Sequence, residues 1–161
     1  MSTDIIELVV AGITLDRNEE NPRIILQSRG GEITLTLSTG PFEAGAIIVE
    51  MEKIKTPVPF THDSFAGFLT RHGFRVDHIL LHSFMVDTCL AKMVYRKGLR
   101  RYAVDIKPSD GIALALRMGA PLHVSASEDA LRFNAGLRHR GGDDRSVLLL
   151  GEGKLNSSFL H

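Results

Sequence analysis

The chain has 161 residues, 43% of them hydrophobic and 24% charged, which suits one globular domain with a real core and argues against a disordered chain. Its 19 Lys and Arg balance 19 Asp and Glu, so the formal net charge is zero, which argues against a strongly basic wrapper of nucleic acid but leaves room for a local basic patch. The single cysteine, Cys89, allows no internal disulfide or cysteine-rich zinc site and favours a reducing, cytoplasmic compartment. Asp4 and Glu7 stand where a signal peptide would carry basic and then apolar residues, and no apolar run has the length of a membrane span.

Ile5 to Leu15 is rich in Ile and Val and reads as a strand. Asp16 to Asn21 is a polar turn before Pro22, and Arg23 to Gln27 is a second strand. Arg29-Gly30-Gly31 turns the chain into a third, Ile33 to Leu37, so an antiparallel meander is expected. Pro41 opens a helix with Glu43 in its first turn and an apolar stripe of Ala44, Ile47, Ile48, Met51 and Ile54. Thr56-Pro57-Val58-Pro59 ends it. Thr61 is the expected N-cap of a second helix, striped by Phe65, Phe68, Leu69 and His72 and stopped by Gly73.

Arg75 to Met85 and Thr88 to Arg96 read as two long strands around Val86-Asp87, and Lys97-Gly98 turns into a strand from Arg101 to Ile106. Pro108 opens a third helix that ends near Gly119, and Pro121 to Val124 is a short strand. Ser125-Ala126-Ser127-Glu128 fits a capping box for a last short helix. A boundary falls near Asn134, between a domain of residues 1–133 and a tail of residues 134–161 that is expected to be dispensable for folding, apart from a possible strand over Ser146 to Leu150.

Two segments align without a gap. Pro41-Phe42-Glu43-Ala44 and Pro108-Ser109-Asp110-Gly111 each open a helix, place an acid two residues after the proline, and follow a meander of three expected strands. Any proline-opened helix shares such a start, so it is the matching strand count that favours a duplicated β-β-β-α unit. The fold class is therefore α+β, with a mainly antiparallel or mixed sheet packed on helices.

Three motifs stand out: Gly40-Pro41-Phe42-Glu43-Ala44, Pro59-Phe60-Thr61-His62-Asp63, and Asp105 to Ala115 around Lys107-Pro108-Ser109-Asp110-Gly111. With Gly119-Ala120-Pro121-Leu122-His123-Val124, in that order and spacing, the chain resembles the bifunctional nuclease family from about Ile5 to Leu131. The chain departs from it at Asp87-Thr88, where the family often has Asp-Gly, and beyond Asn134. The resemblance implies a compact α+β domain and activity on DNA and RNA. It carries over no established set of catalytic residues.

Nuclease chemistry needs a group that activates water and charge that stabilises a crowded phosphate transition state. Asp105 and Asp110 flank the Pro108 helix start and are the candidates for holding Mg²⁺ or Mn²⁺, with Glu43 at the matching place in the other half. The competing assignment makes Asp110 and Glu43 helix caps and Asp105 an arginine partner. His62 is the candidate general base beside Asp63, and here too both could be plain polar residues at a helix start. His78 and His82 share a strand face with Val76, Leu80 and Phe84, a setting that suits partly buried core histidines better than a metal site.

Arg96, Lys97, Arg100 and Arg101 surround the Gly98 turn and could contact phosphates, or could simply be solvated hairpin ends that protect an edge. The expected function is a nuclease of low sequence specificity acting on DNA or RNA, with no organic cofactor. A non-catalytic regulatory or binding module and a small phosphate-ester hydrolase are the alternatives. Long hairpin edges favour a homo-oligomer, most simply a dimer.

Overall fold

The computed structural model describes residues 4–15, 20–85 and 88–126. Seven strands and three helices follow in the order β1 (Ile5–Thr14), β2 (Arg23–Ser28), β3 (Thr34–Ser38), α1 (Pro41–Met51), α2 (Thr61–Arg71), β4 (Arg75–His82), β5 (Leu90–Lys97), β6 (Arg100–Ile106), α3 (Pro108–Met118) and β7 (Leu122–Ser125). The turn at Val86-Asp87, the body of the last short helix expected from the Ser125-Ala126-Ser127-Glu128 capping box, the strand over Ser146 to Leu150 and the boundary near Asn134 lie outside the described residues. Among the described residues, no helix is long and apolar enough to cross a membrane.

The strands form one mixed sheet in the order β3-β2-β1-β7-β4-β5-β6. Each meander runs outward from the centre, β1-β2-β3 to one side and β4-β5-β6 to the other, and each ends in a proline-opened helix of eleven residues. β7 pairs antiparallel with β1 and parallel with β4, so β1 and β4 run in opposite directions on either side of it. That is the arrangement of two β-β-β-α units about a two-fold axis normal to the sheet, with α2 inserted between them.

Alternation along the strands gives the sheet two unlike faces. Leu8, Ile24, Leu26, Leu35, Ile79, Leu81 and Val124 are fully buried and meet Ile47 of α1 and Ile112 and Leu114 of α3. Each such side chain contributes about 1.5–3 kcal/mol by leaving water. α3 is the central helix: Gly111 to Ala115 are all buried because α1, α2 and the sheet surround it. Its approach to the sheet is close at Gly111, where a Cβ would lie 3.0 Å from Ile79 Cγ2 and 3.3 Å from Ile106 Cγ2.

The other face carries Ile5, Val9, Ile25, His78, Leu80 and Val94, which are half-buried or exposed. His78 and His82 therefore sit on the sheet's helix-free face rather than in the core. The His78 ring packs against His123 at 4.8 Å, and His82 Nδ1 lies 2.9 Å from Ser83 Oγ.

Several element ends differ from the sequence reading for local reasons. The second helix takes Phe60 as its N-cap, with Thr61 already helical, because the Asp63 carboxylate reaches back to accept the Phe60 N–H at 2.7 Å. Ile54 lies beyond α1 and is exposed: Lys53 takes a left-handed φ of 52°, and the Ile54 N–H closes the end on the Val49 carbonyl at 2.9 Å. In the α2 stripe Leu69 is buried, whereas Phe65 and Phe68 are exposed. β4 stops at His82 because Ser83 turns to φ 51°, and the loop closes where the Met85 N–H donates to the Thr88 carbonyl at 2.8 Å.

Candidate functional site

The first turns of α1, α2 and α3 meet at one corner of the helix layer. The repeat explains two of them: Pro41 and Pro108 each fix a helix start at the end of a meander. Between them opens a cavity of about 850 Å³. Phe42 and Glu43 of α1, Phe60, His62 and Phe65 around the start of α2, and Ile106 and Asp110 beside α3 are among its walls. Phe42 is 89% exposed and lines the cavity with the exposed Phe60 and Phe65, so the three rings form an apolar rim.

Two ion pairs join these helix starts, and a third ties the first turn of α2 to the last turn of α3. His62 Nε2 lies 2.8 Å from Asp110 Oδ1, with the histidine largely shielded. A carboxylate only accepts, so the bond requires the Nε2–H tautomer or the imidazolium, and in the neutral ring Nδ1 is the basic nitrogen. Lys107, the N-cap of α3, donates to Glu43 Oε1 in α1 and so links the two repeats. That hydrogen bond, helped by Glu43's own backbone N–H, holds the Glu43 carboxyl below its usual range, and the same bond raises the Lys107 ammonium. Arg117 Nε, in the last turn of α3, donates to Asp63 Oδ1 at 2.5 Å. Burial pushes the Asp63 carboxyl up, but the Arg117 and Phe60 hydrogen bonds outweigh it and leave it lowered.

The sequence candidates separate accordingly. His62, Asp110 and Glu43 line the same cavity, whereas Asp63 turns toward α3 and pairs with Arg117. Asp105 is not brought to Asp110. Its neighbour Ile106 faces the cavity, and strand alternation sends Asp105 to the opposite face, where it pairs with Lys92 at 2.7 Å and is 83% exposed. The lysine lowers the Asp105 carboxyl. The expected carboxylate corner of Asp105 and Asp110 is therefore split between two faces. Among the described residues, no three His, Cys, Asp or Glu side chains gather closely enough to hold a metal ion.

The basic hairpin is largely engaged within the chain. Arg96 and Arg101 flank Asp77 at 3.0 and 3.3 Å, and Lys97 lies over the Phe74 ring at 5.0 Å. Arg100 has no ion pair among the described residues. The hairpin tip stands at the far end of β6 from the cavity, roughly 20 Å away at about 3.4 Å per residue. Sequence reasoning missed Lys107, Arg117 and the phenylalanine walls. Lys107 was legible in principle, since it directly precedes Pro108, the proline that the singled-out Asp110 follows by two residues.

The family model described as the bifunctional nuclease domain matches residues 24–129. Two uncharacterized proteins, from two strains of Mycobacterium tuberculosis, are each 29% identical over 131 residues, covering 81% of this chain and 76% of theirs.

Proposed function

Since this chain belongs to the bifunctional nuclease domain family, we propose that it hydrolyses phosphodiester bonds of DNA or RNA with low sequence specificity, at the cavity where the three helices start. The observation that carries this reading is the His62–Asp110 pair at 2.8 Å in the cavity wall. Asp110 accepts the Nε2–H hydrogen bond and fixes the ring, which leaves Nδ1 of His62 as the base that takes a proton from the attacking water. The water oxygen forms the new bond to phosphorus as the bond to the leaving oxygen breaks, and the imidazolium returns its proton to that oxygen. Lys107 supplies positive charge beside the cavity.

Phe42, Phe60 and Phe65 offer ring faces to bases, a contact that tolerates any sequence and contributes about 1–3 kcal/mol per base. If Mg²⁺ or Mn²⁺ takes part, Asp110 and Glu43 are the carboxylates of this cavity, and each already holds a basic partner. A non-catalytic binding module is the second reading. It is favoured by the same pairing, because an acid that clamps two helices needs no catalytic role.

Cleavage of single-stranded DNA and RNA oligonucleotides by highly purified protein, across a metal series with chelator controls, tests the first reading. His62→Ala and Asp110→Asn should each lower the rate about 10²–10⁴-fold, while Asp105→Asn should leave it unchanged. Wild-type rates in both cavity variants would refer the signal to another site or to a contaminant, and no cleavage at all would favour the binding module.

A further inference from the structure

Among the described residues, the two edges of the sheet are unlike. β3 is short, carries no charged residue, and buries Leu35 and Leu37. β6 is exposed at Arg100 through Asp105, on both of its faces. Tyr102 and Val104 point to the helix side yet remain 39% and 44% exposed, because the helices stop short of them. Such an edge invites another strand unless its charges repel it.

The hairpin determines which backbone groups β6 offers. Lys97 pairs with Arg100 across Gly98-Leu99, with Gly98 at φ 58°, a two-residue turn with glycine in its first central position. Lys97 and Arg100 are then a hydrogen-bonded pair, and alternation makes Tyr95–Tyr102 and Met93–Val104 hydrogen-bonded as well. The N–H and C=O groups of Arg101, Ala103 and Asp105 therefore point away from β5 into solvent.

We infer that β6 is a self-complementary dimer edge: two copies pair their β6 strands antiparallel about a two-fold axis at Ala103, setting Arg101 against the partner's Asp105. The stretch Arg101-Tyr102-Ala103-Val104-Asp105 reads as its own charge complement in that register. Arg101, Ala103 and Asp105 meet their opposites as hydrogen-bonded pairs, giving about six main-chain bonds at two per pair. On the helix side, Tyr102 lies against the partner's Val104. Ala103 puts the smallest β6 side chain on the axis. Other registers lose this complementarity: centring on Arg101 or Asp105 opposes like charges, centring on Val104 sets Arg101 against the partner's Lys107, and centring on Tyr102 leaves Arg101 opposite the partner's Ala103 with no opposite charge. The charges that repel other strands thus become attractive in one register. Asp105 keeps Lys92 beside it and gains a second cation.

Sedimentation of the full chain at tens of micromolar should give a dimer. Ala103→Pro should give a monomer with an unchanged circular dichroism spectrum, because the N–H it deletes points outward and an edge strand tolerates it. Cysteine pairing tests the register even if that variant folds poorly. Tyr102→Cys mixed with Val104→Cys should form disulfide-linked dimers faster than either variant alone, since this register makes them a close non-hydrogen-bonded pair. The native thiol adds no background, because Cys89 is buried and its pKa is pushed up to about 12. A wild-type monomer, a dimer that survives Ala103→Pro, or no preference for the mixed pair would each overturn the proposal.

Discussion

Asp63→Ala measures what the α2–α3 clamp contributes. The Arg117 side chain is 4% exposed and its Nη2 is buried without a partner, so it depends on Asp63 and on the Ala113 carbonyl at 2.9 Å. Removing one member of a buried pair costs about 3–5 kcal/mol because it strands the other charge. Asp63 itself is 33% exposed, and water can enter where its carboxylate stood, which places the loss near the lower end, about 3 kcal/mol. The lost bond to the Phe60 N–H adds about 1 kcal/mol. At about 2–4 °C per kcal/mol for a domain of this size, the melting temperature should fall by roughly 8–16 °C. Urea titration and a thermal melt measure both quantities. Asp63→Ala combined with Arg117→Met should recover about 1–3 kcal/mol, since no unpaired charge then remains buried. A loss below about 1 kcal/mol for Asp63→Ala, or a double variant as unstable as the sum of the two singles, would refute the account of a buried clamp.

Gly111→Val should destabilise by about 1–3 kcal/mol through overpacking against Ile79 and Ile106, read as a lower urea midpoint at unchanged slope. Acid should unfold the protein cooperatively: Glu43, Asp63 and Asp105 have lowered folded-state pKa values, so their contribution is complete above the ordinary carboxylate range, near pH 4, and is lost as pH falls through the lowered values. Asp63→Asn should flatten that acid limb of a stability–pH curve. Arg100→Ala should change oligonucleotide affinity little if the cavity is the binding site. A drop in the salt slope of binding of about 0.7–0.9, one phosphate contact, would place the strand on the hairpin instead.

The helix starts were legible because Pro41 and Pro108 act locally, through a missing N–H and a fixed φ, and so announce themselves wherever they stand. The duplication was legible because each of these helix starts also closes a meander of three strands. The pairing of first-turn acids was not. Glu43, Asp63 and Asp110 look alike in sequence, each an acid at the third helical position, and each meets its partner more than 45 residues away. Asp105 failed as a partner of Asp110 because one step along a strand reverses the face, a parity that proximity in sequence conceals. The exposure of Phe65 and Phe68 depended on where α2 packs, which its own apolar stripe does not determine.

The central place of β7 bears on how the protein is made. β7 is the last described strand to leave the ribosome, yet it fills the gap between the two meanders. Until it emerges, β1 and β4 each present an unpaired edge, and the β1–β7 ladder then joins segments more than 110 residues apart. Such a non-local closure is slow, and nascent chains with open edges invite pairing with one another. The symmetric halves can each collapse early, but the sheet becomes continuous only when this four-residue strand is inserted. Chaperone demand should therefore concentrate in the interval between completion of β4 and arrival of β7.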